Sequence, residues 1–138
     1  MNQQTNTSVL PLAARILMAA IFVLSGIGKI TNPAGTIGYI SAMGLPFPEL
    51  GLAAAIGIEV VGGLLLVAGL YTRPVALVLA AFSIVTGLIF HSAIADQNQM
   101  IHLMKNFAMA GGLLQIAAFG AGSLSLDARR NAGTLRTA

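Results

Sequence analysis

The sequence predicts an all-α integral membrane protein: a bundle of four transmembrane helices with a short interfacial helix in the first loop. Two observations carry this. Of 138 residues, 57% are hydrophobic and only 8% are charged, giving a mean hydropathy of +0.87. The apolar residues also gather in four runs of about 20, each long enough to cross a hydrocarbon core of about 30 Å. A soluble domain carries roughly 25% charged residues to face water, and seven cations with four anions fall far short of that. A soluble enzyme, a disordered segment and a nucleic-acid-binding module are thereby excluded, so nucleic acid is not an expected partner and the lipid bilayer is. Cysteine is absent, which removes thiolate nucleophiles, disulfide relays and Cys-ligated metal centres. Tryptophan is absent too, so interfacial anchoring falls to Phe and Tyr.

The elements follow in order along residues 1–138, one membrane domain. Residues before Leu10 are polar and uncharged, and they lack the basic start of a signal peptide. The first span is expected over 10–30, the second over 50–70, the third over 74–94 and the fourth over 101–119, followed by a polar tail, 120–138. Pro74 suits the first turn of its helix, where no N–H is needed. Tyr71-Thr72-Arg73 makes the second and third spans an antiparallel hairpin. The connection from Thr31 to Glu49 is long and bounded by Asn32-Pro33 and by Gly44-Leu45-Pro46-Phe47-Pro48. Within it Ile37, Tyr39, Ile40 and Met43 support a short helix lying in the interface, with an extended loop as the alternative.

Lys and Arg near helix ends set orientation. Arg15, Arg73, Arg129, Arg130 and Arg136 gather on one side, against Lys29 and Lys105 on the other. Both termini are therefore expected in the cytoplasm, with Arg15 snorkelling to that face.

Ionisable residues at bilayer depth are costly and point to function. Glu59 lies about nine residues, so about 13 Å, into the second span and is too short to snorkel. It needs a proton, a cation or water within the bundle; a glutamate that only fixes packing is the plainer reading. Lys29, Lys105 and Arg15 are the candidate partners, and depth alone ranks Lys105 first. His102, Lys105 and Asn106 share one face of the fourth span, at spacings of three and four. A lysine that snorkels and a histidine at the interface are the plainer readings for two of them. Ser83, Gly87 and His91 form a stripe on the third span. Close packing of small residues accounts for the first two, but not for His91 at the outer end of the stripe. Lys29 closes the first span. Four helices thus direct polar groups to one pocket in the outer leaflet.

Several stretches resemble the DoxX family. They are Arg15-Ile-Leu-Met, Phe22 and Ser25-Gly26-Ile-Gly-Lys29; then Glu59, Gly62-Gly63 and Gly69-Leu-Tyr-Thr-Arg73. His91 and Met104-Lys105-Asn106-Phe-Ala-Met-Ala-Gly111-Gly112-Leu113 follow, with the tail Gly120-Ala-Gly-Ser-Leu-Ser-Leu-Asp127. The likeness runs over nearly the whole chain. It implies a four-helix protein of the bacterial inner membrane. Such proteins are usually described as oxidoreductases, after a subunit of an archaeal terminal quinol oxidase and thiosulfate:quinone oxidoreductase, and some are linked to quinones, catechols or oxidative stress. One departure is that His91 is followed by Ser92-Ala93, where related proteins often place polar and aromatic residues. The sequence therefore gives no support for an aromatic platform beside it.

The expected function is redox-linked binding of a quinone- or phenol-type molecule, or service as an oxidoreductase subunit. Glu59, His91 and Lys105 are the candidate catalytic residues, with Lys29, His102 and Asn106 binding the ligand. The lysines would polarise ligand oxygens while Glu59 and His91 exchange protons. A quinone is the expected cofactor or substrate. A haem or flavin is not expected within this chain alone, since two histidines are weak grounds for one, and no metal site is expected. A homo-oligomer or a redox partner protein would complete the system. Two alternatives stand beside this reading: a membrane anchor for soluble redox enzymes, and a transporter of small molecules or lipids.

Overall fold

A computed structural model describes residues 2–134. Its order is α1 (Asn2–Thr31), α2 (Pro33–Ala42), α3 (Pro48–Ala68), α4 (Thr72–Phe90), α5 (Gln97–Phe119) and α6 (Leu126–Thr134). No strand occurs among the described residues. Three helical stretches are long and apolar enough to cross a membrane: Val9–Thr31, Pro48–Ala68 and Thr72–Phe90. Such a chain belongs in a lipid bilayer. Helix α5 has the length, but its first turns carry Gln97, Asn98, Gln99, His102, Lys105 and Asn106, which dilute its apolar character.

Local chemistry explains the boundaries. The Asn32 side chain accepts from the Gly35 N–H and starts α2, with Pro33 in its first turn. Asp96 does the same for α5 through the Gln99 N–H, at 3.0 Å. That cap begins α5 at Gln97, ahead of the apolar run at 101, while α4 stops at Phe90, short of the expected 94. His91, Ser92, Ala93 and Ile94 make the turn between them.

Helix α4 packs along α5, and α1 along α3. Their shared core alternates small and large side chains: Ala19 and Phe22 of α1, Leu66 of α3, Ala76, Leu79 and Ala80 of α4, and Ala110 and Leu113 of α5. In lipid, helices associate through close packing rather than apolar burial from water. The alanines let backbones approach, and the larger residues fill the remaining gaps.

One end of the bundle is locked by its C-terminal segment, which is no loose tail. Arg15 is 1% exposed, so it does not snorkel. Its guanidinium donates to the carbonyls of Leu66 (3.1 Å) and Val67 (2.7 Å) and to that of Leu124. The Leu66 carbonyl also accepts from the Gly69 N–H at 3.2 Å; Val67 at the helix end and Leu124 in the loop are the acceptors that the arginine serves beyond it, and a cation there complements the helix dipole. Gly69 makes this possible: its φ of +66° suits a residue without Cβ, and a Cβ would collide with the Arg15 guanidinium and Ser125. Asp127 then caps α4, accepting from the N–H groups of Tyr71 and Thr72, both at 2.9 Å. Its own N–H donates to the Gly69 carbonyl. Arg130 lies over the Tyr71 ring, 4.7 Å from its centroid. Arg136, counted above for orientation, lies outside the described residues.

Candidate functional site

The opposite end of the bundle holds a cavity of about 840 Å³ between α1, α2, α3, α4 and α5. Small-molecule sites occupy about 300–1,000 Å³. All six residues singled out from the sequence line it: Lys29, Glu59, His91, His102, Lys105 and Asn106.

Glu59 is the most buried of them, at 4% exposure. It sits in a π-helical turn, Gly57–Val61, inside α3. Such turns insert a residue into an α-helix and recur at functional sites. Here the turn faces Gly26 of α1. A Cβ at Gly26 would lie 2.5 Å from Val60 Cγ2 and 3.3 Å from Glu59 Cβ, so the glycine admits the glutamate's backbone against α1. Lys29 Nζ then reaches Glu59 Oε1 at 2.9 Å and Ser25 Oγ at 2.8 Å, and Ser25 Oγ donates to the same Oε1 at 3.1 Å. Glu59 Oε2 is buried and has no hydrogen-bond partner. The partner of Glu59 is thus Lys29, not the Lys105 that depth alone ranks first. Lys29 and Ser25 lie one turn apart on α1, so both meet the carboxylate together.

The opposite wall comes from α4 and α5. The rings of His91 and His102 stack, with centroids 4.9 Å apart and planes at 22°. The aromatic neighbour that Ser92-Ala93 do not supply is an imidazole from the next helix. His91 Nδ1 lies 2.8 Å from Gln99 Oε1. An amide oxygen only accepts, so this contact is a hydrogen bond in the Nδ1-protonated form of the imidazole. Because the two rings stack, they leave no gap for a haem to sit between them as axial ligands. Among the described residues no three His, Asp or Glu side chains gather to hold a metal. Asn106 Nδ2 donates to the His102 carbonyl at 2.9 Å. Lys105 and His102 are exposed, so they stand at the cavity's open side, while Lys29 and His91 are half-buried.

Helix α2 closes the remaining side. The Tyr39 hydroxyl donates to the Phe90 carbonyl at 3.2 Å, and the two rings pack with centroids 5.3 Å apart. Sequence reasoning placed Tyr39 on α2 without assigning it to the site, and it omitted Ser25, Phe90 and Gln99. The signal for Ser25 was present in its four-residue offset from Lys29. Tyr39 and Phe90 carried none, because their contact joins distant segments.

The cavity can therefore offer a ligand an apolar interior, one buried carboxylate, two ammonium groups, two imidazoles and an amide. Comparison with known proteins places the chain among relatives. The DoxX family model matches residues 10–92. The chain is 43% identical to the inner membrane protein YqjF of Escherichia coli, over 84% of this chain and 88% of that protein. It is 36% identical to the inner membrane protein YphA of the same organism, over 88% and 90%. No solved structure matches it. The matched segment runs from α1 through α4 and includes Arg15, Lys29, Glu59 and His91, and the chain belongs to the DoxX family.

Proposed function

We propose that this is a bacterial inner-membrane protein whose cavity binds a small quinone- or phenol-type molecule and exchanges protons with it. The observation that supports this most is the cavity itself: an apolar volume of drug size on which six polar side chains from four helices converge. Lys29, Lys105 and Asn106 hold ligand oxygens; Glu59 and His91 pass protons, with His102 stacked on the latter. Electrons for a redox step pass between the ligand and a partner protein.

The same reading makes α5 the fourth membrane span. Its polar first turns line the cavity, and its second half, from Phe107 to Phe119, is apolar apart from Gln115. Both termini then lie in the cytoplasm at the Arg15–Asp127 end, where Arg73, Arg129 and Arg130 also gather. The relatives are named as inner membrane proteins, which supports the inner membrane as the location.

The test uses purified protein in lipid nanodiscs, titrated with a short-chain benzoquinone and an alkylphenol. Wild type should bind at least one of them saturably. Lys105→Met and Asn106→Ala, each checked for intact helical content, should weaken binding, Lys105→Met by about tenfold, the loss of one charged hydrogen bond. Unchanged affinity in both variants makes the polar cluster a packing device and removes the proposal.

A further inference from the structure

We infer that the cavity takes its ligand as an anion: an apolar body carrying one ionised oxygen of the phenolate kind, held between Lys29 and Lys105. This rests on the reading of the cavity as a quinone- or phenol-type site, and it selects among that class.

The charge around the cavity carries the inference. Helix α1 contributes Lys29, α3 contributes Glu59, α4 contributes His91, and α5 contributes His102 and Lys105; α2 contributes no charged group. The other acidic residues near this end, Glu49 and Asp96, do not line it. With Glu59 counted as fully ionised, two ammonium groups still face one carboxylate. The cavity therefore holds at least one unbalanced positive charge among mainly apolar walls. Lys29 is paired with Glu59, so the surplus is the charge of Lys105, which stands exposed at the opening. A neutral dione would leave that charge in place, whereas an anion cancels it.

Hydrogen-bonding capacity points the same way. Two of the three Lys29 N–H groups serve Ser25 and Glu59, and one remains. Lys105 has no hydrogen-bond or ion-pair partner among the described residues, so all three of its donors are free. Glu59 Oε1 already accepts twice, and its Oε2 is sealed from the cavity. The Tyr39 hydroxyl is committed to Phe90. The free capacity of the two lysines is thus for donation to a charge-bearing acceptor, while the imidazoles and Asn106 Oδ1 can also accept. The half-buried Lys29 and the exposed Lys105 place one donor within the cavity and one at its opening. The only bond exchanged is the phenol O–H, whose proton passes to water before the phenolate enters.

The probe is 4-nitrophenol, whose phenolate is yellow, set against its uncharged methyl ether 4-nitroanisole. Protein is held in nanodiscs of zwitterionic phosphatidylcholine, with empty nanodiscs subtracted. At pH 7 the wild-type protein should bind the phenolate at least tenfold more tightly than the ether and raise the yellow fraction. That corresponds to a fall of at least one unit in the probe's apparent pKa. Lys105→Met should abolish most of the colour change, and Lys105→Arg should keep it, which a merely structural role for Lys105 does not require. Phenol and ether binding alike, without a colour change, overturn the anionic assignment and leave the cavity reading standing. Absence of binding by both probes and by a short-chain benzoquinone overturns the assignment and that reading together.

Discussion

Removal of Lys29 tests whether the α1–α3 contact is held by charge or by shape. Lys29→Met keeps the length of the side chain but leaves Glu59 without its cation, with the glutamate side chain only 6% exposed. Breaking a buried pair by deleting one partner costs about 3–5 kcal/mol. The lysine side chain is 23% exposed, and water at that edge softens the loss, so the expected cost is about 3 kcal/mol. Lys29→Met with Glu59→Met removes both charges at once. Ser25 can then turn its hydroxyl to a carbonyl of its own helix, and the double variant should lie within about 1 kcal/mol of wild type, because apolar replacement of a whole buried pair is often neutral. Unfolding in mixed micelles with a rising fraction of denaturing detergent, followed by circular dichroism, gives the four corners of the cycle. The reasoning fails if the two single costs simply add, leaving an interaction energy below about 0.5 kcal/mol.

Three further outcomes follow from the locked end and the orientation. Arg15→Met should cost about 2 kcal/mol in the same assay, since the part-buried Val67 and Leu124 carbonyls lose a charged donor; Arg15→Lys should recover only part, because an ammonium lacks the planar fork that spans three acceptors. At Asp127 burial pushes the carboxyl up, but hydrogen bonds from Thr72 and Tyr71 and the charge of Arg130 outweigh it and hold it below its ordinary 3.8. The docking of α6 is therefore at full strength above that value and is lost as pH falls through the lowered one; amide exchange in 126–134 should rise in acid, and Asp127→Asn should expose the segment already at neutral pH. Reporter fusions after Ala138 and beside Asn98 should report opposite sides, with the first cytoplasmic, and a periplasmic C-terminus reverses the proposed orientation.

The long helices were legible because lipid imposes a length on them, and a run of apolar residues records it. Their ends were less so. Helix α5 begins in Gln97-Asn98-Gln99, which reads as loop until the Asp96 cap is recognised, and Ile94 extends an apolar run beyond the helix it follows. The convergence of Lys29, Glu59, His91, His102, Lys105 and Asn106 was legible from depth and helical face. Their pairing was not. Depth favoured Lys105 for Glu59, whereas a π turn and the bare backbone at Gly26 bring the carboxylate to Lys29. The stacking of His91 on His102 depends on the turn at 91–96, which no periodicity describes. Arg15 was beyond reach of a side-chain argument, since its partners are backbone carbonyls and every residue has one.

The bonds of Arg15 also set an order of events during synthesis. Leu66 and Val67 follow it by 51 and 52 residues, and Leu124 by 109. At about 5–20 residues per second, the last acceptor is made roughly 5–20 s after the arginine. For about the first half of that interval the first helix carries a cation with none of its partners, and for the rest it lacks the third. The arginine lies six residues into the apolar stretch Val9–Thr31, where its long stem can keep the charge at the membrane surface while it waits. Completion of the C-terminal segment then supplies the missing carbonyl and, through Asp127, the cap on α4. A ribosome that stops before residue 124 releases a chain with the helices of its core but without the clasp that closes them. A product cut before residue 124 is then distinguishable by an Arg15 that lacks the Leu124 carbonyl and by a Tyr71–Thr72 turn that lacks its Asp127 cap.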